Sequence, residues 1–152
     1  MNLKFKLSAL CVTASMCVSL AAHAQFAKPE DAVEYRQASL SVLGTHFKRI
    51  STVVKGEKPY DKAALENDAA IVEMLSKLPW TAFPDGSITG DSKAKPEIWK
   101  NMDKFKSDAD KMQAEVAKLS VAAKSGDLNA IKAQFASTGK TCKACHDDFK
   151  AK

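Results

Sequence analysis

The chain is predicted to be all-α, folded as an antiparallel four-helix bundle. Apolar residues recur at steps of three and four in four separate stretches, with glycine and proline between them. No run alternates apolar and polar residues as a half-buried strand would. Steps of three and four are the pattern of helices packed at shallow angles around a shared core.

The first helix opens at Lys28-Pro29-Glu30, where proline suits the first turn and acids face the positive end of the dipole. Its stripe runs Val33, Leu40, Leu43, Phe47, Ile50, Val54, until Gly56 to Pro59 breaks it. A second helix starts at Asp61, a good N-cap, and should bury Leu65, Ile71, Val72, Leu75 and Leu78 before Pro79 ends it. Residues 80–95 form a long connection rich in Gly, Pro, Ser and Asp. A third helix is expected from Pro96, with the seam Ile98, Met102, Phe105, Ala109, Met112, Val116, Leu119. Asp127 caps a fourth, whose seam is Leu128, Ile131, Phe135, Thr138, Cys142, Cys145, Phe149; Gly139 is a candidate bend.

Near the end of that seam stands Cys142-Lys143-Ala144-Cys145-His146. C-x-x-C-H is the attachment signature of c-type haem: two thiols form thioethers with the haem vinyls, and the following histidine becomes an axial iron ligand. On a helix, Cys142, Cys145 and His146 share one face, so a single turn can pin the porphyrin edge and hold an imidazole beneath the iron. The competing readings fit less well. A thioredoxin-like dithiol belongs near a β-α-β pattern, and a disulfide across two residues would close a trivially small loop. Zinc would need a fourth ligand or a water, and the mature chain offers only His46. Because the cysteines occupy core positions of the last seam, one covalently attached haem c should lie inside the bundle.

The N-terminus points to export. Lys4 and Lys6 form a basic start, Leu7 to Ala22 is apolar or small, and Ala22-His23-Ala24 presents an A-x-A cleavage site. Residues 1–24 are read as a cleaved signal peptide and 25–152 as one bundle domain in the periplasm, without a membrane span. Cys11 and Cys17 leave with the signal, so the mature cysteines are the two in the motif. The net charge falls from +5 to +3, because the signal carries two lysines and no acid. Lysines are scattered rather than clustered with aromatics, which argues against nucleic-acid binding.

A C-terminal C-x-x-C-H on the last of four helices resembles the class II c-type cytochromes; class I members carry the motif near the N-terminus. Similarity to the cytochrome c prime family extends over the mature chain. It rests on Gln25-Phe26-Ala27-Lys28-Pro29-Glu30-Asp31-Ala32-Val33, Tyr35-Arg36-Gln37, Pro79-Trp80 with Phe83, Pro96-Glu97-Ile98-Trp99 and Cys142 to Asp147. The resemblance implies a homodimer that binds NO and CO, has modest redox activity and relieves nitrosative stress; its redox partner is unknown. It places Leu40 over the open iron face, Trp80 and Phe83 along the haem, Arg36 and Gln37 at the haem edge with Arg36 pairing with a propionate, and Asp91 nearby. Solvation is the alternative for Arg36, and anchoring of the long connection for Trp80 and Phe83. One departure is Lys150, where many relatives have arginine four residues after the axial histidine.

Within that class the sixth iron position decides function. Low-spin members use a methionine from the first helix, and Pro29 to Val54 contains none. Met102 and Met112 read as packing residues, Met74 flanks the second helix's stripe, and His46 reads as a partly exposed histidine. Five-coordinate iron is therefore expected, with an electron carrier ligated by a group such as His46 as the alternative. A haem enzyme lacks support, because no distal His/Arg acid–base pair is visible.

Overall fold

In a computed structural model that describes residues 25–152, helices are α1 (Pro29–Val54), α2 (Lys62–Leu75), α3 (Glu97–Lys100), α4 (Met102–Ser125) and α5 (Leu128–Phe149). A single 3₁₀ turn, Pro79–Ala82, follows α2. The four long helices pack in a ring, α1 on α2, α2 on α4, α4 on α5 and α5 on α1. Neighbours in sequence are thus neighbours in space, the up-down-up-down arrangement.

Local chemistry sets the helix ends. Asp31 accepts the Lys28 amide at 3.2 Å, Asp61 the Ala64 amide at 3.0 Å, and Asp127 those of Asn129 and Ala130 at 2.9 and 3.3 Å. Each bond satisfies a donor at a helix N-terminus that has no partner within its helix. Gly126 ends α4 with φ of 77°, the left-handed conformation that side chains resist.

The apolar residues form two clusters. One lies mid-bundle around Ile50, Leu65, Val72, Leu119 and Ile131, joined by the Phe47–Phe135 stack at 4.4 Å between α1 and α5. The other comprises Ile98, Phe105 and Phe149. Trp80 packs against both.

Three sequence expectations change. The third helix does not run on from Pro96: it breaks at Asn101 (φ −130°, ψ 47°), which separates α3 from α4. Asparagine tolerates such a break, and α3 meanwhile keeps the Trp99 indole donating to the Phe83 and Pro84 carbonyls. Leu78 is exposed rather than buried, because α2 ends at Leu75 and the turn after it buries Ser76 and Pro79 instead. The Ser76 carbonyl there accepts the Trp80 indole at 2.6 Å. Gly139 does not interrupt α5, which is continuous through it.

Candidate functional site

Where the two clusters meet, the bundle encloses a largely apolar cavity of about 400 Å³. Cys142 packs against the mid-bundle cluster and Cys145 against the other, so α5 presents its attachment turn at their junction. Cys142, Cys145 and His146 all line the cavity, and both thiols are uncrosslinked. Burial pushes the Cys142 thiol up; burial and then the Asp108 carboxylate push Cys145 up to about 11. Burial, then the Lys150 charge, lowers His146, which favours the neutral imidazole that can ligate a metal. Two protonated thiols and a neutral imidazole on one face of an apolar slot fit a covalently attached haem.

The wall opposite α5 comes from α1, through Arg36, Gln37, Leu40 and Leu43. Leu40 is 36% exposed, turned towards the cavity rather than packed within the core. Trp80 and Phe83 line the space, stacked with centroids 6.4 Å apart, and Phe83 meets Phe105 edge-on at 4.8 Å. On these two residues the haem-lining and anchoring readings coincide. Asp91 stands off: it is exposed and outside the cavity wall, and only its carbonyl takes part, accepting Gln37 Nε2 at 3.2 Å.

Arg36 is 3% exposed, so the solvated alternative fails. Nη1 donates to the Ala82 carbonyl at 2.7 Å and to Ser87 Oγ at 2.8 Å; Nη2 donates to the Ser87 carbonyl and to Ser92 Oγ at 2.9 Å. Its guanidinium also lies 4.5 Å from the Phe83 ring centroid. Among the described residues no carboxylate pairs with it, and the Nε–H stays unused.

His46 points elsewhere. Its Nδ1 lies 2.6 Å from Asp68 Oδ1 on α2, and it is not part of the cavity wall. The methionine that does line the cavity is Met112, 6% exposed within the mid-bundle cluster.

Sequence reasoning missed Asp108, 8% exposed and in the cavity wall. Lys104 Nζ bridges it at 2.6 Å to Asp148 on α5 at 2.7 Å, and Lys111 approaches Asp108 at 3.4 Å. Hydrogen bonding from Lys104 foremost holds Asp108 below the usual carboxylate range. The spacing of Lys104, Asp108 and Lys111 on one helix face was the available signal. Lys93 and Ala94, also in the wall, had none, because the loop that returns them has no periodicity.

Comparisons agree with this geometry. A family model described as cytochrome C′ matches residues 31–150. The chain is 47% identical over 128 residues to cytochrome c′ of Alcaligenes xylosoxydans xylosoxydans, covering 84% of this chain and 99% of that one. To cytochrome c′ of Rubrivivax gelatinosus it is 45% identical over 129 residues, covering 84% and 100%. Among solved structures, cytochrome c prime from Shewanella frigidimarina superposes with a TM-score of 0.81 at 43% identity, covering 84% and 99%. A nitric oxide complex of a variant of cytochrome c prime from Alcaligenes xylosoxidans gives 0.79 at 44% identity, covering 84% and 99%.

Proposed function

We propose, from the premise that the chain belongs to the cytochrome c prime family, that it binds NO and CO at five-coordinate haem iron and disfavours O2. The family's cofactor is one covalent haem c per chain. Cys142 and Cys145 would hold it through thioethers and His146 would ligate its iron. When bound, that haem supplies an iron centre that takes a diatomic ligand and exchanges one electron.

The single observation that carries the reading is the α1 wall. Every α1 side chain facing the cavity is an arginine, an amide, a serine or a leucine, and Leu40 lines the same cavity as the attachment turn. None of these competes with an added ligand for iron. O2 gains from a hydrogen-bond donor at its binding site, whereas NO and CO need less such help, so iron facing the aliphatic Leu40 side chain would disfavour O2. The nitric oxide complex of the Alcaligenes xylosoxidans relative supports NO as the ligand class. Arg36 retains its Nε–H and an unpaired buried charge for a haem propionate, with Gln37 beside it.

The biological role follows as NO sequestration in the periplasm by a homodimer, with redox activity secondary to ligand binding. A second reading has one specific support: Met112 places a thioether on the cavity wall, and its ligation would make a low-spin electron carrier. A cytochrome c-556 from Agrobacterium tumefaciens, 34% identical over 120 residues, is among the relatives. Optical spectra of the ferric and ferrous protein, before and after CO and NO, separate the two. A high-spin spectrum that shifts with both gases is expected; a sharp low-spin spectrum indifferent to CO would overturn the proposal.

A further inference from the structure

Residues 84–95 leave the Trp80–Phe83 side of the cavity and end against the chain just beyond His146. At the far end Lys95 N donates to the Phe149 carbonyl at 3.0 Å and Ala151 N to the Lys93 carbonyl at 2.8 Å. Lys95 Nζ also caps α5, donating to the Asp147 and Asp148 carbonyls at 3.0 and 3.1 Å. Ser92, Lys93 and Ala94 line the cavity. The segment therefore straps the α1 wall to the attachment turn of α5.

Its middle is held chiefly by the Arg36 side chain, with Gln37 Nε2 adding one bond to the Asp91 carbonyl at 3.2 Å. Ser87 N bonds the Pro84 carbonyl and Ser92 N the Thr89 carbonyl, each at 3.2 Å, closing two successive turns. Gly86 and Gly90 supply the positive φ these turns need, 76° and 55°. Each turn ends on a serine aimed at Arg36. Ser87 is fully buried although Asp85, Gly86 and Ile88 around it are exposed. Burying an arginine is costly unless its donors are satisfied, and here the strap supplies three of the four acceptors that Arg36 reaches, the Ala82 carbonyl being the fourth.

We propose that Arg36 latches this strap, and that the latch gates the entry of small ligands into the haem cavity. Arg36 is thus a positioning residue acting through Ser87 and Ser92, apart from any contact with the haem. The gate rests on the reading of an open iron site; the latch does not.

Two variants of the holoprotein test this. Ser87→Ala/Ser92→Ala removes both hydroxyl acceptors while leaving Arg36 in place; Arg36→Lys keeps the charge but loses the fork that reaches four acceptors. Hydrogen exchange of amides 85–94 should quicken about tenfold in both, the change expected when one or two charge-assisted hydrogen bonds are lost from a local opening. CO association after flash photolysis should accelerate several-fold in the serine variant, with the spectrum of its CO complex retained. Unchanged exchange would overturn the latch. Faster exchange with an unchanged CO rate would overturn the gate and leave a purely structural strap. A parent protein that takes no CO would overturn the open-iron reading and the gate with it, while exchange still decides the latch. Should Arg36→Lys not assemble, the serine variant gives both answers.

Discussion

Leu40 shows how one side chain bears on ligand choice. As a core leucine it would be buried; it is instead turned onto the cavity opposite Cys142, Cys145 and His146. Bulk over the iron opposes any added ligand, so Leu40→Ala should tighten CO binding by roughly tenfold, equivalent to relieving about 1.4 kcal/mol. CO titration of the ferrous protein reads this directly, and an unchanged affinity would remove Leu40 from its assigned role. Ser120 makes the opposite point: its hydroxyl is buried without a hydrogen-bond partner among the described residues, and nothing about the site explains it.

At the scale of elements, α4 and α5 must stay in register for the attachment turn to face the cavity. Lys104 is the tether, reaching Asp108 on its own helix and Asp148 two residues beyond His146. Thr138 and Gln134 reinforce it from the other end of α5, both donating to the Glu115 carbonyl on α4. The Asp108 carboxyl is held below its ordinary value, chiefly by the Lys104 hydrogen bond. Its contribution to stability is therefore complete above an unfolded aspartate value of about 3.9 and is lost as pH falls through the lower folded value. Lys104→Met should lower the melting temperature by a few degrees at pH 6, and the gap from the parent should close towards pH 2. Melts followed by helical circular dichroism at both pH values test the sign; a gap that widens in acid would contradict it. The same scale explains His46, which ties α1 to α2 through Asp68 and is thereby kept from the iron.

For the whole molecule, export is the expectation that the N-terminal sequence carries. Residues 1–24 lie outside the described structure, so the signal peptide and the Cys11 and Cys17 within it rest on sequence alone. Among the described residues no helix is long and apolar enough to cross a membrane. Protein recovered from the periplasm should begin at Gln25 and carry one haem that survives denaturation, both read from its intact mass. Sedimentation should give twice that mass if the chain is a homodimer. A chain retaining residues 1–24, or haem extracted by acid acetone, would count against the reading.

The features legible in the sequence are those that depend on near neighbours. Steps of three and four residues predicted the four long helices, and Asp61, Asp127 and Gly126 marked ends because caps act within one turn. Cys142, Cys145 and His146 form the haem-attachment signature within five residues, so that signature needed no fold to be read. What only the tertiary structure decided depends on where an aperiodic chain returns. The residues at 87 and 92 meet Arg36 because two glycine turns bring them back. Asp91, in the same loop, points away, and Trp99 holds a short helix that ends at Asn101. His46 could as well have faced iron as Asp68 until the packing of α1 on α2 chose for it. Helical periodicity specifies which face is buried; the partner across that face is settled by packing between segments far apart in sequence.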